Sequence, residues 1–131
     1  MDKVIQDVTL GTAGWFVFAA GTVGVTAGQT LRLSVVNLSP VDATVCCGLW
    51  QNPSPISVAQ DSYTLSPGGA ANCDLNASDL SSEVFDKMGR AQLRAHVRSS
   101  ARTVCGSLEV FDSQTGRTST VLPLQEVVYR G

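Results

Sequence analysis

Arg90, Arg94, His96 and Arg98 occupy alternate positions of one run, RAQLRAHVR, in which Ala91, Leu93, Ala95 and Val97 fill the positions between. Alternation of that kind places every second side chain on one face of a β-strand. Three guanidinium groups and an imidazole on one face could hold an anion such as a phosphate, a sulfate or an acidic glycan, or meet an acidic partner surface. The plainer reading is a solvated outer face with ion pairs to neighbouring strands. If the next strand, Val104–Phe111, pairs with this one, Glu109 falls near Arg94, an interaction worth roughly 0.2–1 kcal/mol. A second set of reactive side chains is Cys46, Cys47, Cys73 and Cys105. Four cysteines allow three pairings. We expect one bridge and two free thiols, with the pairing open. The adjacent Cys46 and Cys47 point to opposite faces of a strand, so a bridge between them would be strained.

Other constellations are poorer. The chain has a single His, and its cysteines lack the CxxC or HxxxH spacing of a zinc site, so no metal is expected. No GxSxG elbow is present, and His96 lies mid-strand, which leaves a Ser-His-Asp hydrolase a distant third reading. The GTAG, GTVG and PGG segments miss the spacings of phosphate-binding loops, and no cofactor is expected. Catalytic residues are therefore assigned to none, and the chain is read as not an enzyme. Trp15 and Trp50 remain as candidate ligand or interface aromatics. A net charge of −2 disfavours nucleic acid as a partner. The apolar run from Trp15 to Val25 is interrupted by Gly21 and Gly24 and is too short to insert in a membrane. No secretory signal is evident at the start.

The elements that must carry these residues read as strands. Thr30 to Leu38 alternates Leu31, Leu33 and Val35 with Arg32 and Ser34. Ala43 to Gln51 puts Val45, Cys47 and Leu49 on one side and Thr44, Cys46 and Trp50 on the other. Further strands are expected over Lys3–Leu10, Trp15–Thr26, Ile56–Leu65, Ala70–Leu75, Ala91–Arg98, Val104–Phe111, Arg117–Leu122 and Gln125–Tyr129. Ser66-Pro67-Gly68-Gly69 is the strongest turn signal. One helix is expected over 79–88. Ser78 would be its cap, Leu80, Val84 and Met88 its apolar stripe, and Gly89 its stop. Residues 1–131 thus form a single domain, a mainly antiparallel β-sandwich with one short helix.

Three blocks together, GQTLRLSVVNL (28–38), LSPGGAANCDLNASDL with GRAQLRAHV (65–97), and CGSLEVFDSQTGRTSTVL (105–122), resemble a loosely defined group of bacterial β-sandwich proteins, often exported. The resemblance covers about two-thirds of the chain. It implies an immunoglobulin-like or jelly-roll-like sandwich and an extracytoplasmic location, and brings no catalytic residues. The missing export signal leaves a cytoplasmic location open. The function expected is a non-enzymatic binding or structural module, recognising its partner through a sheet face or through loops 52–55, 66–69, 99–103 and 112–116. The alternative is a small-ligand binder with a pocket between the sheets near Trp15 and Trp50. A homo-oligomer would form by contact of strand edges or sheet faces.

Overall fold

The computed structural model describes residues 15–51 and 57–128. The expected strand at 3–10, loop 52–55, Ile56 and Tyr129 lie outside them. Nine strands follow in order: β1 (Phe16–Thr26), β2 (Gln29–Asn37), β3 (Ala43–Gln51), β4 (Ser57–Leu65), β5 (Ala70–Asn76), β6 (Arg90–Ser99), β7 (Val104–Asp112), β8 (Thr118–Pro123) and β9 (Gln125–Glu126). They form two antiparallel sheets, ordered β4-β3-β6-β1-β9 and β5-β2-β7-β8. The pairings are nested: β1 with β6, β2 with β5, β3 with β4. A long hairpin rolled up on itself gives that pattern, which is the jelly-roll form of a sandwich.

The period-two residues account for the core. Leu31, Leu33 and Val35 of β2 meet Val45 and Leu49 of β3 and Leu93 and Val97 of β6 from the other sheet, all at most 2 % exposed. The alternation predicted for β2, β3 and β6 is the alternation found. Strand β2 lies inside its sheet, between β5 and β7, so its backbone bonds are satisfied on both sides. Ser66-Pro67-Gly68-Gly69 forms a turn closed by the Gly69 amide donating to the Ser66 carbonyl at 2.7 Å. Gly68 has φ 81°, where a side chain would be strained.

Two expectations about elements fail. The helix over 79–88 is replaced by two single 3₁₀ turns, Ala77–Asp79 and Ser82–Val84, with Leu80 and Ser81 extended between them. This stretch must cross from β5 in one sheet to β6 in the other. Leu80, Val84 and Phe85 reach the core from the short turns, while Met88 of the supposed stripe is 80 % exposed. Its polar residues bond locally instead of supporting a helix: the Asp86 carboxylate accepts from the amides of Met88 and Arg90, and Ser81 Oγ donates to Glu83. Gly89 keeps its positive φ of 74°, but it closes a turn from Asp86.

The second failure concerns Arg94 and Glu109. Strands β6 and β7 belong to different sheets, so these side chains do not meet. Glu109 instead faces Arg32 across the β2–β7 ladder and accepts from Thr118 Oγ1. Arg32 in turn forms a two-pronged ion pair with Asp74, both bonds at 2.8 Å, and lies over the Phe111 ring. The pairing partner supplies the difference: Asp74 holds the Arg32 pKa above its ordinary value.

Asn37, at the end of β2, is fully buried and ties three segments together. Its Nδ2 donates to the carbonyls of Val41 and Leu65, at 2.8 and 3.0 Å. Its Oδ1 accepts from the Ser39 amide and hydroxyl, at 2.9 and 2.6 Å.

Candidate functional site on the outer sheet face

Strands β1, β3, β4 and β6 each send their alternate side chains away from the core onto one outer face. The register across it is fixed: Val17 opposes Arg98 and Ala19 opposes His96 between β1 and β6. Cys46 opposes Arg98, Gly48 opposes His96 and Trp50 opposes Arg94 between β6 and β3. Ser62 opposes Cys46 and Gln60 opposes Gly48 on β4. Two groups that the sequence presents as separate candidates, the arginine row and the tryptophans, therefore share one surface.

The tryptophans lie on this outer face and not between the sheets, where a pocket beside them is expected from the sequence. Trp50 alternates with Leu49 and so points outward. Trp15 precedes β1 and lies against Arg98, whose guanidinium carbon is 4.7 Å from the ring centroid. Such stacking is worth about 0.5–1 kcal/mol at an exposed site and more when desolvated. It also orients the planar fork. Arg98 Nη2 lies 3.9 Å from Cys46 Sγ, which is 3.6 Å from Ser62 Oγ. Trp15, Arg98, Cys46 and Ser62 thus make a continuous row across four neighbouring segments.

Beside this row lies an open cleft of about 290 Å³. Cys46, Gln60, Asp61, Ser62 and Arg98 line it, together with Gly48 in the middle of β3. At such a position glycine otherwise only weakens the sheet. The Trp50 indole folds back over the same glycine. A Cβ at Gly48 would lie 2.8 Å from Trp50 Nε1, closer than the packing allows. Trp50 is 3 % exposed, and its ring centroid is 6.2 Å from that of His96, tilted by 44°.

The predicted site residues divide accordingly. Arg94, His96 and Arg98 share the face, each half-buried, and Arg94 Nη1 donates to the Gln51 carbonyl at 2.9 Å. Arg98 alone of the row lines the cleft. Arg90 is exposed at the far end of β6, eight residues and so about 26 Å along the strand from Arg98, packed over Gly24. Gly48, Gln60 and Ser62 were not singled out in the sequence. Their signal was available in the alternation of β4 against β3, but it needs the strand pairing to be read.

All four cysteines are free thiols, so the expected bridge is not formed. The faces explain it. Cys46 lies on the outer face of one sheet and exposed Cys105 on the other sheet, opposite Val36. Cys47 and Cys73 both join the core, but from opposite sheets. Burial pushes the Cys47 thiol up to about 12, with Cys73 adding to the effect, and burial raises Cys73 as well. At the open edge beside them, Tyr63 donates to the Asp61 carboxylate at 2.8 Å. Burial, then Asp61, pushes its phenol up to about 12.

Among the described residues no group of three or more His, Cys, Asp or Glu side chains is placed to hold a metal ion, and no helix is long and apolar enough to cross a membrane. No family model and no curated protein matches the chain. Among solved structures, the crystal structure of Thermotoga maritima 1070 is similar to it, with a TM-score of 0.55 over 86% of this chain and 90% of that one. At 11% identity the likeness extends to the fold alone.

Proposed function

We propose that the protein is a non-enzymatic binding module that takes a small ligand on the outer face of the β4-β3-β6-β1 sheet. The observation that carries this reading is the cleft beside Gly48, lined by Arg98, Gln60, Asp61, Ser62 and Cys46. Its polar groups are held by neighbours: Arg98 by Trp15, Cys46 by Ser62 and Arg98. Groups held in place before a ligand arrives lower the ordering cost of binding. The volume sits near the lower end of the range for small-molecule sites, which run from about 300 Å³ upward.

Thermal unfolding against a panel of small anions, neutral sugars and amines tests the reading. A ligand present at a hundred times its Kd stabilises by about 2.7 kcal/mol. At least one class should raise Tm, and Arg98→Gln should abolish the rise. Arg90→Gln, at the far end of the same strand, should leave it intact. If no class raises Tm, or if the two variants behave alike, the cleft is not the binding site.

A further inference from the structure

The cleft holds one full positive charge, Arg98, among groups that can donate, with the Asp61 carboxylate as its acidic member. Arg98 is donor-only, the Cys46 thiol and Ser62 hydroxyl both carry a donor hydrogen, and Gln60 supplies an NH₂. A second observation points the same way. Trp50 Nε1, a donor and nothing else, is buried with no hydrogen-bond partner among the described residues. Of the indole atoms it is the one nearest the space above Gly48, which lines the cleft. A buried donor without a partner is costly and rare in folded proteins, and an acceptor reaching it would remove that cost.

We propose that the cleft takes the carboxylate of a small organic acid, one oxygen toward the Arg98 fork and the other toward the Trp50 indole N–H. This rests on the reading of the face as a binding surface and names the ligand class. The spacing is suitable. Arg98 reaches the level of Cys46 and the indole N–H lies over Gly48, two residues further along β3. Two residues of strand span about 7 Å, which a carboxylate bridges with an ordinary hydrogen bond on each side. Charge selects a monoanion over a phosphate dianion: Arg98 is the one cation of the cleft lining, and Asp61 belongs to the same lining. The indole N–H already packs against Gly48 and is closed off from solvent in the unliganded fold, so pairing with the acid requires the indole to turn from there toward the cleft. The half-buried Trp15 ring on the same face favours an acid with an apolar body.

The protein has two tryptophans, so a ¹⁵N-labelled sample gives two indole N–H resonances, which Trp50→Phe assigns. Benzoate is the probe, with acetate, inorganic phosphate and sulfate as comparators. We expect the Trp50 indole proton to move downfield and saturate with benzoate. Trp50→Phe keeps a buried ring and loses only the donor, so its Tm should be unchanged or higher while benzoate affinity falls roughly tenfold. If the amides of Ser62 and Gln60 respond to benzoate but the Trp50 indole does not, and the variant binds equally well, the indole role is wrong and the binding face stands. Tighter binding of phosphate or sulfate than of benzoate overturns the carboxylate assignment. If no probe perturbs any residue of the cleft, the inference fails; if the wider ligand panel fails as well, so does the reading beneath it. Should Trp50→Phe fail to fold, the wild-type titration decides alone.

Discussion

Replacing Asn37 by Ala should be among the most damaging single changes in the protein. The side chain makes four hydrogen bonds, and it does so at zero exposure. Truncation strands at least two wholly buried groups, the Leu65 carbonyl and the Ser39 amide, because the bonds to them lie in the interior. A buried group left without its partner costs about 1–3 kcal/mol. Ser39 Oγ can turn to the Val41 carbonyl, which it already touches at 2.8 Å, so that part of the loss is softened. The sum is about 3–5 kcal/mol, a large part of the roughly 5–15 kcal/mol that holds an ordinary domain folded. For a chain of this length each kcal/mol moves Tm by about 4 °C, so the fall is about 12–20 °C. Thermal unfolding followed by far-ultraviolet circular dichroism measures it. Asn37→Asp is the sharper variant. It keeps the shape but sets a carboxylate oxygen against the carbonyls of Val41 and Leu65, and it should be no milder than Ala at neutral pH. A loss below about 1 kcal/mol for either variant would refute the claim that this residue ties the β2–β3 turn to the end of β4.

Stability should also fall in alkali. Cys47 and Tyr63 both have folded-state pKa values raised to about 12, so the stability they contribute is complete below their ordinary values of 9.0 and 10.0 and disappears as pH rises toward 12. Urea midpoints from pH 8 to 11.5 should decline from about pH 9, and Tyr63→Phe with Cys47→Ala should flatten the decline. A flat profile in the parent would contradict the burial of these groups. A thiol reagent should label Cys105 first and leave Cys47 and Cys73 protected until the protein is unfolded. Unfolding without reductant should expose four thiols, and a count of two would establish a bridge. Gly106→Ala should cost roughly 1–3 kcal/mol, since its methyl would press into the Ser34 carbonyl and Leu124 in a sheet that has no room to yield. An unaltered Tm for that variant would show that β2 and β7 can separate there.

How far the fold was legible follows from the range over which each signal acts. Leu31, Leu33 and Val35 announce a buried face because period two is a local property of a strand. Pro67 and Gly68 announce their turn because the needed φ values belong to those residues alone. The run 79–88 carried an equally regular stripe, yet Leu80 and Val84 pack from 3₁₀ turns and Met88 does not pack. There the requirement to bridge two sheets overrides a local period, and short polar side chains such as Ser81 and Asp86 supply competing bonds. The pairing of Arg94 with Glu109 assumed that consecutive strands are neighbours. In a rolled hairpin β6 and β7 are consecutive but sit in opposite sheets.

The candidate site was legible by halves for the same reason. Period two placed Arg94, His96 and Arg98 on one face of β6, and placed Cys46 and Trp50 on one face of β3. Neither pattern contains the information that β3 and β6 are neighbours, because 52 residues separate Cys46 from Arg98, whereas only 16 separate it from Ser62 on the hairpin partner β4. Once that register exists, Gly48 acquires a meaning that it lacks in the sequence. In an isolated strand it is a weak point. Between Cys46 and Trp50, opposite His96 and Gln60, it is the position without a side chain that lines the cleft and takes the Trp50 indole. A methyl group added there would push the indole aside. Gly48→Ala should therefore abolish ligand-induced stabilisation, whereas Gly21→Ala, where a Cβ meets nothing within 4 Å, should leave it unchanged. Equal behaviour of the two variants would mean that the cleft over Gly48 is incidental to what the face binds.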